Sequence, residues 1–148
     1  MLRILESDQL SDYAVNLADC VIKTHDNKIL LQRRPENWSS NAGGLNLFGG
    51  HIEKNETVIK GLIRELYEEL GAKVPEKELI FIGAVTEDFT NYTEAVHVYF
   101  WHDKDNRITG CYEALPEVFE SLDQVLEEKN IMEYAVWALK ESQKEELL

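Results

Sequence analysis

Residues 49–72 constrain the fold more than any other stretch of the chain. They read Gly-Gly-His-Ile-Glu-Lys-Asn-Glu-Thr-Val-Ile-Lys-Gly-Leu-Ile-Arg-Glu-Leu-Tyr-Glu-Glu-Leu-Gly-Ala. Apolar residues at Ile59, Leu62, Ile63, Leu66 and Leu70 fall at i, i+3, i+4, i+7 and i+11, the buried stripe of an α-helix. Asn55 or Thr57 can cap its start, and Gly71 suits its exit. The other face is acidic. Glu65, Glu68 and Glu69 stand at i, i+3 and i+4, with Cβ atoms roughly 5–6 Å apart, and like charges so placed oppose the helix. Lys60 and Arg64 lie within reach of some of them, but no basic residue follows Glu69 within a turn. A hard divalent cation would turn this repulsion into coordination, because Mg²⁺ favours oxygen donors. A solvated acidic face is the plain alternative.

Length and charge narrow the function classes. A chain of 148 residues is expected to form one domain, residues 1–148. No apolar run approaches the roughly 18 residues of a membrane span, and the opening Met-Leu-Arg-Ile-Leu-Glu-Ser-Asp is too short and acidic for a secretory leader. A cytoplasmic protein is expected, with Cys20 and Cys111 as free thiols outside any zinc-binding spacing. The formal net charge of −13 argues against a nucleic-acid duplex as partner, and it repels anionic substrates unless metal ions neutralise the site.

In chain order, Leu2, Ile4 and Leu5 can add a short terminal element. Residues 13–23 read as a strand, Asp26-Asn27 as a turn, and residues 29–33 as the returning strand of a hairpin. Residues 35–44, including Trp38, Ser39, Ser40 and Asn41, form a polar loop. Residues 45–48 read as a short buried strand feeding Gly49-Gly50. Strands are expected over 79–86 and 95–102, with an aromatic and acidic loop between them. A weak strand is expected over 107–112, and another starts at Val118-Phe119. A short helix over 122–128 begins behind Ser121, and a closing helix over 132–146 turns Ala135, Val136 and Leu139 inward. Composition and order alone imply an α/β (α+β) chain.

The spacing Gly50, five residues, Glu56, seven residues, Arg64-Glu65, Leu66, Tyr67, Glu68-Glu69, Leu70, Gly71, Ala72 resembles the Nudix hydrolase signature, G-x5-E-x7-R-E-U-x-E-E-x-G-U, with U a bulky aliphatic residue. Every identity position is met, and chance would do this on the order of once in 10⁸ starting positions. Ala72, at the last U, is the one departure. The resemblance implies an α/β/α sandwich around a mixed sheet. It also implies Mg²⁺- or Mn²⁺-dependent hydrolysis of a diphosphate linkage in a nucleoside diphosphate joined to a further group X. The alternative is a nucleotide-sensing module that reuses the fold without catalysis.

Carried over residue by residue, Glu68 and Glu69 are the principal metal ligands. Glu65 is a further ligand or an acid that reaches the metal through water, and Gly49 offers a backbone carbonyl where a side chain would obstruct approach. Arg64, paired with Glu56, holds the loop ahead of the helix, and Gly50 and Gly71 serve the backbone. Glu113 is the candidate additional ligand or general base, with Glu87, Asp88 and Glu94 as rivals. Trp38, Phe89 and Tyr92 are loop aromatics able to stack on a base, and Arg33 and Arg34 are able to meet phosphates. His51 lies in the signature loop. The partner is then a small nucleotide, and a homodimer is compatible. The ADP-ribose and dinucleoside polyphosphate subfamilies carry a proline and a tyrosine past the box that Glu87-Asp88 and Phe89 do not match. A cap hydrolase would want a basic RNA path that this charge does not supply.

Overall fold

A computed structural model describes residues 1–38 and 42–148; the Ser39, Ser40 and Asn41 part of the expected polar loop lies outside the described residues. The elements are β1 (Leu2–Leu5), β2 (Val15–Lys23), β3 (Ile29–Arg33), β4 (Leu45–Asn46), β5 (Phe48–His51), α1 (Val58–Leu70), β6 (Ile80–Glu87), β7 (Glu94–His102), β8 (Leu115–Phe119), α2 (Leu122–Leu126) and α3 (Glu133–Lys144).

The apolar run of β2 places it at the centre, because a strand covered on both faces reads as nearly continuous hydrophobics. The sheet order is β1-β6-β7-β2-β3-β4, with β5 added to β2 and β8 to β3. β2 and β7 run parallel in register from Val15↔Glu94 to Lys23↔His102. The other strand pairs are antiparallel, so the sheet is mixed. On its other edge β2 forks. β5 pairs with residues 17–20, and β3 takes over at Ile22 and Lys23.

Each face of the sheet carries its own core. Ala18, Cys20, Ile22, Phe48 and Trp101 pack under Leu62, Leu66 and Leu70 of α1. Val21, Leu31, Val85, Val98 and Phe100 pack under Leu122 and Val125 of α2 and Ala135, Ala138 and Leu139 of α3. Helices thus cover both faces, giving the expected sandwich. In α3, Val136 is only half-buried, while Tyr134 and Ala138 join Ala135 and Leu139 inside.

Helix α1 starts behind Thr57, whose Oγ1 accepts from the Lys60 N–H at 3.3 Å. It ends at Gly71, left-handed at φ 65°, whose N–H reaches the Tyr67 carbonyl. Ile59 and Ile63 are half-buried, whereas Glu69 is buried. The buried stripe is therefore rotated towards β5 and its two glycines.

Two local expectations need correction. Residues 45–48 are not one strand. The Asn46 side chain accepts from the Leu47 N–H at 2.7 Å, and the Gln32 amide donates to the Leu47 carbonyl at 2.7 Å. With its backbone groups taken by side chains, Leu47 becomes the corner where the chain passes from β3 to β2, and Gly49-Gly50 lie inside β5.

Residues 107–112 are not a strand. The Asp103 carboxylate accepts from Arg107 N–H at 2.7 Å and Ile108 N–H at 3.2 Å. The Thr109 N–H then reaches Leu70 O, and the Tyr112 N–H reaches Glu69 O, both at 2.9 Å. The segment spends its donors on the carbonyls that the end of α1 would otherwise leave unpaired.

Gly49 decides whether β5 can approach β2 at all. Its φ is +149°, and a Cβ there would run into the Ala18 carbonyl and Asp19. We expect Gly49→Ala to lower stability by about 3 kcal/mol or more, or to abolish folding. Thr57→Ala, which removes only the helix cap, should cost about 1 kcal/mol. Urea denaturation of both variants checks the contrast, and equal midpoints would contradict it.

Candidate active site

The helical offsets that gather Glu65, Glu68 and Glu69 on one side of α1 turn two of them onto β5. The carboxylate of Glu65 packs against Gly50, where an added Cβ would stand 2.6 Å from its carboxyl carbon. Glu69 goes deeper. It is 5% exposed, and its Oε2 accepts from the Gly49 N–H at 2.9 Å. Behind Gly49, on β2, stands Asp19, 4% exposed, with Oδ2 accepting from the Tyr134 hydroxyl of α3. The segment that closes the end of α1 brings Glu113 alongside, where its charge bears on both Glu65 and Glu69.

Burial and neighbouring charge disfavour the ionisation of Glu69, Asp19 and Glu65. Burial, then the charges of Asp19, Glu65 and Glu113, push Glu69 up to about 9 against the help of the Gly49 N–H. Burial likewise lifts Asp19 to about 7, with Glu65 adding to the rise while the Tyr134 hydroxyl and Arg34 oppose it. Glu65 is raised by burial and by Glu68 and Glu113, and lowered by Arg64.

Arg64, within the signature, pairs with several of its acids. Its Nε and Nη2 bind the two oxygens of Glu56 at 2.8 and 3.0 Å, and Nη2 also donates to the His51 carbonyl at 3.1 Å. Nη1 spans Glu65 at 3.0 Å and Glu68 at 3.3 Å. Glu56 in turn accepts from the Glu53 N–H at 2.8 Å, so the loop ahead of α1 is tied to the helix by one guanidinium. Among the described residues, no three acidic, His or Cys side chains are drawn together closely enough to hold an ion as they stand. Glu68 leans to Arg64 and is half exposed.

The remaining candidates separate. Arg33 is committed to Glu117 through Nε and Nη2, to Glu128 and to the Gly43 carbonyl. Arg34 lies over the Trp38 ring at 4.4 Å, and its charge bears on Asp19. Phe89 is exposed, and Tyr92 carries Arg3 at 3.6 Å over its ring. Their turn joins β6 to β7 at the Val15 end of β2, roughly 13 Å along the strand from Asp19. Of the rival acids, Glu87 accepts from the Tyr134 N–H at the start of α3, and Asp88 pairs with the Met1 amino group. His51 contributes its carbonyl and leaves its ring exposed.

Sequence reasoning missed Asp19 and Tyr134. The available signal was an acid in the middle of the apolar Val-Asn-Leu-Ala-Asp-Cys-Val-Ile-Lys run. At Gly49 the missing side chain also makes room for β2.

The comparisons agree with one another. The NUDIX domain family model matches residues 15–139. The CTP pyrophosphohydrolase of Escherichia coli (strain K12) is 34% identical over 80 residues, covering 54% of this chain and 56% of that protein. The chain thus matches little more than half the length of that curated relative. Among solved structures, the MutT protein from Methanosarcina mazei Go1 superposes with a TM-score of 0.73 at 23% identity, over 89% of this chain and 94% of that one. The E. coli ORF135 protein gives 0.66 at 22% identity, over 91% and 93%. At these identities the two structures speak for the fold.

The raised carboxyls give a pH dependence with a definite sign. Asp19 and Glu69 hold protons in the folded, metal-free protein that the unfolded chain releases near pH 4. Their contribution is therefore fully present below that pH and is lost as pH rises through about 7 and about 9. Chelator-treated protein should melt progressively lower from pH 5 to pH 9, and Glu69→Gln should flatten the fall. A melting temperature that rises over this range would overturn the assignment.

Proposed function

The chain belongs to the NUDIX family, and from that premise we propose that it hydrolyses a diphosphate linkage in a nucleoside di- or triphosphate derivative, with Mg²⁺ or Mn²⁺ as cofactor. The observation that carries this reading is the pair of carboxyls Glu65 and Glu69, packed against the glycine pair of β5, with the charge of Glu113 bearing on both. Burial that raises a carboxyl without a matching cation is a cost a fold bears at a functional site. The donor set also fits a divalent ion, because hard oxygen donors and uncompensated negative charge are what Mg²⁺ takes. Glu65, Glu68, Glu69 and Glu113, with the Gly49 carbonyl, would hold it. When bound, such an ion neutralises phosphate charge and lowers the pKa of water.

The chain's own residues supply the rest. Gly49 fixes Glu69 through its N–H, and Asp19 is fixed in turn by Tyr134. The Arg64–Glu56 pair holds the loop ahead of the helix against it. One carboxylate, Glu113 or a glutamate of α1, accepts the proton of the attacking water. The new phosphorus–oxygen bond then forms as the bridging phosphorus–oxygen bond breaks, and the displaced phosphate leaves with that electron pair. The similar CTP pyrophosphohydrolase supports nucleotides as the substrate class. This reading takes residues 1–148 as one cytoplasmic domain acting on a small nucleotide, with a homodimer open to it; no described helix is long and apolar enough to cross a membrane.

The test is a panel of nucleoside triphosphates and nucleotide sugars with Mg²⁺ or Mn²⁺, read by phosphate or pyrophosphate release. Turnover is expected on at least one member and is expected to stop with chelator. Glu69→Gln should lower kcat at least about a hundredfold with the fold intact, in line with loss of a metal-holding carboxylate. Tight nucleotide binding without turnover would favour a sensing module instead.

A further inference from the structure

Between the last turn of α1 and residues 107–112 lies a groove of about 660 Å³. Its walls combine exposed aromatic rings with cations. Tyr67 and Tyr112 are 53% and 62% exposed, and both line it. Lys73 and Arg107 line it too, in a chain whose formal charge is −13. Among the described residues Lys73 makes no ion pair. Among the same residues Arg107 pairs only with Asp105, at 3.3 Å, and its buried Nε has no partner.

The groove is built rather than incidental. The Tyr112 hydroxyl and Thr109 Oγ1 are hydrogen-bonded at 2.8 Å, and the Tyr112 N–H holds the Glu69 carbonyl. Gly71, at φ +65°, leaves the space that Thr109 and the Tyr112 ring occupy; a Cβ there would collide with Thr109 Oγ1 and stand 3.1 Å from the ring. Tyr112 is thus fixed at an exposed position, a preorganised apolar face with little rotamer freedom left to lose. Glu68, a member of the signature, also lines the groove. One molecule can therefore reach from the carboxylates into it.

We propose that this groove is a subsite for an aromatic, phosphate-bearing end of the substrate, a nucleoside monophosphate unit. The ring lies against Tyr112 and Tyr67, and the phosphate faces Lys73 and Arg107. An aromatic face accepts any base, and cations beside it select the phosphorylated form. The proposal rests on the diphosphate-hydrolase reading for its place in a reaction, but its test does not depend on turnover.

The experiment is amide chemical-shift titration of the full chain in magnesium buffer with CMP, cytidine and ribose 5-phosphate. CMP should move the amides of Gly71, Lys73, Thr109 and Tyr112. Cytidine and ribose 5-phosphate should bind at least about tenfold more weakly, each lacking one half of the recognition. Tyr112→Ala should weaken CMP about tenfold, Tyr112→Phe should retain it, and Lys73→Gln should weaken it a few-fold. Tyr67→Ala, at an exposed helix position, reads the same effect if Tyr112→Ala fails to fold. The subsite is overturned if CMP does not bind, if it moves only amides around Asp19 and Asn46, if ribose 5-phosphate matches it, or if the variants bind as the parent does. Hydrolysis measured in parallel separates the two ideas. Turnover with CMP seated elsewhere removes the groove alone. CMP in the groove of an inactive protein keeps the groove and removes the hydrolase reading.

Discussion

The contact on which this structure depends is the approach of α1 to β5, closed by the Gly49 N–H donating to Glu69 at 2.9 Å. Two missing side chains make it possible. Gly49 lets β5 lie against β2, and Gly50 leaves the volume that Glu65 fills. A side chain at Gly49 would collide with the β2 backbone, and one at Gly50 would displace the Glu65 carboxylate. The same closeness makes the carboxylates costly, since burial and proximity both oppose ionisation.

The fold meets that cost from two sides. Arg64 compensates the exposed end of the acidic face while fastening the loop that precedes it. At the buried end the support is neutral: a backbone N–H for Glu69 and a tyrosine hydroxyl for Asp19. Neutral donors orient a carboxyl without supplying a countercharge, so in the metal-free fold Asp19 and Glu69 keep their protons up to about pH 7 and about pH 9. Under the proposed function a divalent cation would take the place of those protons.

Much of this was legible from residue order. The helix over Val58–Leu70, the hairpin of β2 and β3, and strands β6 and β7 follow from periodicity and turn residues, which are local properties. What was not legible depends on distant partners. Residues 107–112 have strand-like composition, but their N–H groups serve the end of a helix nearly forty residues earlier, an arrangement set up by the Asp103 side chain. Leu47 breaks a strand because Asn46 and Gln32 claim its backbone. Arg33 looks available for phosphate in sequence, but Glu117, separated from it by 84 positions, already holds it. Asp19 stands out locally as an acid in an apolar run, but it joins the site only because β2 pairs with β5 and sets it opposite Gly49.

The hydrogen bond between Tyr134 and Asp19 joins residues 115 positions apart. The parallel pairing of β2 with β7 likewise spans most of the chain, from Val15↔Glu94 to Lys23↔His102. Contacts of such long range carry a larger loop-closure entropy than local ones. Tyr134 belongs to the last helix, so a chain cut ahead of Glu133 would leave the buried Asp19 carboxyl without its hydroxyl donor.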